Sequence, residues 1–165
     1  MKKIFAAISI FALSLAGVSV FAADKHEEKI VSNCALIKEK IVNLQHEDSK
    51  TRVNLGKYYE SILSNFIVPL NLRLVENNIS NSELVENQGD YKAYRQNFID
   101  DYISYQQSLE NLASINCEES PAQFMEKIVD TRAKRKIVAT DVVKMKGIIN
   151  KQVSLVKKLQ EGVKE

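Results

Sequence analysis

The stretch Ile30–Ile62, IVSNCALIKEKIVNLQHEDSKTRVNLGKYYESI, decides the fold. Taken at alternating spacings of four and three, it gives Ile30, Cys34, Ile37, Ile41, Leu44, Asp48, Thr51, Leu55, Tyr58 and Ile62, and eight of these ten can pack as apolar residues. Such a repeat is the seam of a long helix in a coiled-coil-like bundle. Asp48 and Thr51 interrupt it together, and one seam position is a cysteine.

Beyond this stretch the spacing becomes Ile62, Phe66, Leu70, Leu74, four apart each time. Repeated fours form a stutter, which locally unwinds a supercoil. Pro69 lacks a backbone donor and predicts a kink or a break before it. Asn77–Ser82 reads as a turn, with Ser80 and Glu83 at capping-box spacing. A second helix is expected from Ser82 to Ile115, with Leu84, Tyr91, Phe98, Tyr102, Tyr105 and Leu109 among its apolar positions. Asn87-Gln88-Gly89-Asp90 weakens its pattern and allows a break at Asp90. Ser120-Pro121-Ala122-Gln123 places a capping serine before proline at the first helical position. The third helix runs from Pro121 to about Leu159, with polar interruptions at Thr131, Arg135 and Gln152. With five Gly and two Pro, the chain has too few turn residues for many hairpins. The expected fold is all-α: an antiparallel up-down-up three-helix bundle, coiled-coil-like and stapled by one disulfide.

Residues 1–22 read as a secretory signal peptide: Lys2 and Lys3, an apolar run from Ile4 to Val20, then Val20-Phe21-Ala22 as a cleavage pattern. An uncleaved anchor is the rival reading. Val18 stands where a lipoprotein would carry its lipidated cysteine. Residues 23–165 then form one helical domain, exported across the inner membrane to the periplasm, the cell surface or the medium. The full chain has 23 basic and 21 acidic residues, so losing Lys2 and Lys3 leaves 21 of each. That balance gives no reason to expect nucleic acid as a partner. Cys34 and Cys117 remain, and two cysteines in an exported chain read as one disulfide.

If the first two helices form a hairpin, Cys34 and Cys117 come to one end of the molecule. Levelling them sets Asp48 and Thr51 beside Asp100 and Asp101 of the second helix and beside Thr131, Arg132 and Arg135 of the third. We expect a polar layer there, with Asp48 paired to Arg135 or Arg132, because an unpaired buried charge costs several kcal/mol. The layer serves as a register device first, and as an anion site if a cavity opens beside it. Charge is also uneven along the chain. Ala23–Leu74 has eight basic and seven acidic residues, net +1; Val75–Glu119 has two and nine, net −7; Ser120–Glu165 has eleven and five, net +6. An acidic helix therefore pairs with a basic one. The sharper alternative is a basic face of Lys136, Lys144, Lys151, Lys157, Lys158 and Lys164 that meets an anionic membrane surface.

There is no HExxH, no Gly-rich phosphate loop, no GxSxG and no CxxC in the sequence. Neither His26-Glu27-Glu28 nor His46-Glu47-Asp48 makes a metal-ligand set on one helix face. The chain is therefore expected to be no enzyme and to hold no metal and no cofactor. Cys34 early in a long helix, then Asn116-Cys117 with Pro121, Phe124 and Arg132 opening a last helix, resembles small exported helical proteins of the bacterial candidate phyla. The resemblance implies the fold and the disulfide, and adds no site. The function expected first is a structural or interaction module of the cell envelope that binds a protein partner through its helix faces. A chaperone-like or membrane-surface binder and a small anionic-ligand binder are the alternatives, and self-association stays open.

Overall fold

The computed structural model describes residues 26–162. The expected signal peptide, residues 1–22, and Lys164 lie outside the described residues. A helical stretch over 26–32 leads into α1 (Cys34–Ile62), and a π-helical segment (Leu63–Ile67) continues it into α2 (Val68–Glu76). After a turn come α3 (Ser82–Ser114) and α4 (Pro121–Gly162). Among the described residues there is no strand, and no helix is long and apolar enough to cross a membrane.

The first helix was expected to run unbroken from near Asp24, but it is interrupted at Asn33. There the side-chain amide of Asn33 donates to the Lys29 carbonyl at 2.9 Å, and its backbone N–H reaches back only three residues, to Ile30. This local bonding competes with the helical pattern. The expected seam also slips past its midpoint. Tyr58 and Phe66 are exposed, and Tyr59, Leu63, Ile67, Asn71 and Leu74 take the buried positions. Four-residue steps carry an apolar stripe steadily round a helix of 3.6 residues per turn. The π segment corrects that drift by fitting one more residue into a turn, with the Val68 N–H donating to the Leu63 carbonyl five residues back. Pro69 follows at once, in the first turn of α2, where its missing N–H does least harm.

α2 ends in a Schellman motif. Asn78 is left-handed (φ 55°), the Ile79 N–H donates to the Leu74 carbonyl at 2.8 Å, and the Asn78 N–H donates to Val75 at 3.0 Å. The cap of α3 is Asn81, whose side chain accepts from the Leu84 N–H at 3.1 Å, in place of the expected Ser80 box. No break occurs at Asp90. Asn87 is fully buried there and donates to Gln152 of α4 at 2.7 Å, and Gln88 accepts from Asn71 of α2 at 2.7 Å. The weak stretch in the sequence is thus a hydrogen-bonded polar layer inside the fold.

Partners across the helices run in opposite order. Along α1 and α2, Asp48, Tyr59 and Asn71 meet Tyr105, Tyr91 and Gln88 of α3. Along α3, Asn87 and Ser108 meet Gln152 and Thr131 of α4. The core is one long cluster from Ile30 and Cys117 to Ile67 and Met145, with a small second cluster of Leu74, Leu84 and Leu155 near the hairpin turn. Phe124, Val138 and Met145 are buried on α4, as its seven-residue repeat predicts. Cys34 and Cys117 are joined in a disulfide, with Cα atoms 5.7 Å apart.

Candidate functional site

Asp48 sits half-buried on α1, facing α3 and α4. Arg135 of α4 grips it with two hydrogen bonds, Nε to Oδ2 at 3.1 Å and Nη2 to Oδ1 at 3.2 Å. The Tyr105 hydroxyl of α3 donates to the same Oδ2 at 2.6 Å, and the Tyr102 hydroxyl donates to the Asp48 main-chain carbonyl. A bidentate guanidinium and a phenol together saturate most of the carboxylate. Burial, then the charge of Asp48, pushes the Tyr102 phenol up to about 12. The hydrogen bond to Asp48 raises the Arg135 pKa further. Arg52 covers the other side of Tyr102, its guanidinium 5.7 Å from the ring centre.

The other residues of the expected layer are placed differently. Thr51 is exposed and donates to its own helix, to Glu47 at 3.0 Å. Asp100 is exposed and accepts from Gln96 at 2.9 Å. The hydroxyl-to-carbonyl bond explains why a threonine is tolerated at a seam position: its polar atom turns along the helix. Asp101 is half-buried against Asp141 of α4, a fully buried carboxylate whose Oδ1 lies 3.4 Å from Lys144 and whose Oδ2 has no hydrogen-bond partner. Arg132 is exposed and has no hydrogen-bond or ion-pair partner among the described residues. Thr131 bonds Ser108 at 2.8 Å, and Ser108 also donates to Asp130 at 2.9 Å. Tyr102, Tyr105 and Asp141 are the participants that periodicity alone does not single out. The tyrosines sit at apolar positions of the pattern, and Asp141 lies one residue off its seam.

Asp48→Ala removes the acceptor of a buried tyrosine as well as the partner of Arg135. It is expected to lower the unfolding free energy by about 1–3 kcal/mol in a urea titration. Arg135→Ala should cost no more than about 1 kcal/mol, because that side chain is 54 % exposed. Equal losses from the two would show that the ion pair, and not the tyrosine hydroxyl, carries the effect.

The acidic groups give stability opposing pH dependences. Burial, then the hydrogen bond and charge of Asp141, raises the Asp101 pKa. A carboxyl with a raised folded pKa contributes stability that is full below its unfolded value and is lost as pH rises through the folded value. Asp130 runs the other way: the hydrogen bond from Lys127, then that from Ser108, holds it at about 2. Its contribution is present above the ordinary carboxylate range and is lost as pH falls towards 2. Asp101→Asn imitates the protonated form. We expect it to raise the urea midpoint at pH 7 and to flatten the loss of stability between acid and neutral pH; an unchanged profile would defeat this account.

Of the basic face, Lys136, Lys144, Lys151, Lys157 and Lys158 are all exposed. Lys144 leans towards Asp141 and lies 5.7 Å over the Tyr94 ring, and Lys151 comes within 4.0 Å of Asp90 on α3. Two of these lysines therefore interact with α3 or the edge of its interface with α4. Among the described residues no group of three or more His, Cys, Asp or Glu could hold a metal ion.

α1 packs on α3 and stands off from α4, so a groove opens between α1 and α4. Its central part has a volume of about 420 Å³, with Ile37, Ile41, Leu44, Leu109, Leu112 and Ile128 as its apolar surface. A concavity towards the disulfide end shares Ile37, Ile128 and Arg132 with it. A third, beyond the Asp48–Arg135 pair, shares Tyr105, Arg132 and Arg135. Arg132 thus lines all three. No family model, curated protein or solved structure matches this chain.

Proposed function

We propose that this chain is an exported, non-enzymatic binding module of the cell envelope, and that the groove between α1 and α4 is the surface it binds through. In this reading α1 with α2, α3 and α4 form the three limbs of an antiparallel up-down-up three-helix bundle, and the missing closure between the first and last limbs makes the groove. The opposite order of partners across the helices supports the topology. The disulfide is compatible with an oxidising compartment. The observation that carries the reading is Arg132, an unpartnered guanidinium lining every part of a mainly apolar groove. Arg135 is already neutralised by Asp48, so that pair fixes the helices while Arg132 is left for a ligand.

A photocrosslinking residue at position 36 tests this. Leu36 is 50 % exposed on the groove's edge, and Ile103, 40 % exposed on α3, is the control outside it. Adducts from position 36 and not from 103, in cells exporting the protein, are the expected result. Equal labelling, or none at 36, would remove the groove as the binding surface. The exposure of Lys136, Lys157 and Lys158 favours a second reading, contact with an anionic membrane surface. Vesicle binding that weakens steeply with salt would support it, and no binding at low salt would remove it.

A further inference from the structure

We infer that the occupant of this groove is a long-chain fatty-acid anion, a reading that rests on the groove being the binding surface. The chemistry of the rim selects the charge. Lys29, Lys40, Arg132 and Lys136 line the three connected concavities, with His26 at the disulfide end. Asp48 is the one carboxylate that lines them, and Arg135 and Tyr105 already hold it. A single negative head group therefore meets unpaired cations and no free acid. Below the rim, polar groups are scarce. Tyr105, Leu109 and Leu112 of α3 make the floor, and half-buried Ile37, Leu44 and Ile128 make the walls.

Length and volume point the same way. The apolar positions of the first helix bordering the groove run from Ile30 to Leu44, about 21 Å at ~1.5 Å per residue, comparable with an extended sixteen-carbon chain. The central volume of about 420 Å³ lies within the range of small-molecule sites, roughly 300–1,000 Å³. Arg132, midway along and common to all three parts, is the residue for the carboxylate; the chain would run from it towards Ile30. The fit needs no movement of the Asp48–Arg135 pair.

The test is calorimetric titration of the oxidised mature protein with hexadecanoate, hexadecylamine and hexanoate. One-to-one binding of hexadecanoate is expected, with hexadecylamine and hexanoate each at least tenfold weaker. Arg132→Glu should weaken hexadecanoate at least tenfold. Lys146→Glu, the same change of charge at an exposed position away from the groove, should leave it unaltered. No binding of hexadecanoate, equal binding of the amine, or indifference to Arg132→Glu would each overturn the inference. If hexadecanoate fails while position 36 still crosslinks an envelope protein, the ligand class falls and the groove stands. If position 36 gives no adduct and hexadecanoate fails too, both fall.

Discussion

Replacing Cys34 and Cys117 together by alanine is expected to lower the unfolding free energy by about 4.5 kcal/mol, the chain-entropy value for a cross-link across 83 residues. That is a large share of the roughly 5–15 kcal/mol that holds a typical domain together. It should shift thermal unfolding down by roughly 15 °C in a chain of this size. The bridge ties the start of α1 to the connection between α3 and α4, beside the buried Phe124. Its loss frees an end of α1, where contacts with the rest of the fold are few and fraying is easiest. A circular-dichroism melt of the double variant against the oxidised protein checks this. A shift of only a few degrees would mean that packing around Ile30 and Phe124 holds the end closed without it.

Phe98→Ala should cost about 3–5 kcal/mol, the usual range for deleting a buried aromatic ring. Phe98 is 1 % exposed and stands at the middle of an aromatic ladder. Tyr59 of α1 meets it edge-on at 5.3 Å, and Tyr102 lies 6.0 Å along α3 with Tyr105 beyond. Edge-to-face pairs add about 0.5–1.5 kcal/mol each beyond area burial. The rungs Tyr102 and Tyr105 also hold Asp48, so a collapse at Phe98 should be felt at the ion pair. A urea titration gives the stability loss, and a coupling energy between Phe98→Ala and Asp48→Ala gives the link. Strict additivity of the two would show that the ladder does not transmit the disturbance.

The all-helical character and the bridge were legible because each rests on a signal the chain cannot hide: heptad spacing, few turn residues and two cysteines. α4 was readable almost residue by residue, since its seven-residue repeat continues from Phe124 to Gln152 without a stutter. The first helix was readable to Leu55 and misread after it. A run of fours leaves two neighbouring faces almost equally apolar, and only the π segment decides between Phe66 and Ile67. Levelling the helices at the cysteines sets Asp48 beside Arg135, because height along a bundle follows from rise per residue. It does not separate Asp101, which turns to Asp141, from Asp48, because direction around each helix depends on the crossing geometry. Asn71, Asn87 and Gln152 were hidden for a different reason. A buried amide is told from a surface one only by its partner, and each partner lies on another helix. The groove was unreadable altogether, since periodicity tells which faces are apolar and not how far apart two helices stand.

The π segment at Leu63–Ile67 sets the phase of everything after it. One residue in an α-helix is about 100° of rotation. Deleting Ser64, an exposed residue within it, should let the first helix run through as a regular α-helix and turn α2 by about that angle relative to α1. Leu74 would leave Leu84 and Leu155, and Asn71 would leave Gln88. The far end of the molecule should then loosen while the end near the bridge keeps its packing, and amide exchange would show protection lost from Asn71 to Leu84 and kept around Phe124. Loss of protection at both ends would mean the two halves melt as one. These five residues work as a vernier: one position more or fewer, and the same side chains would address a different neighbour.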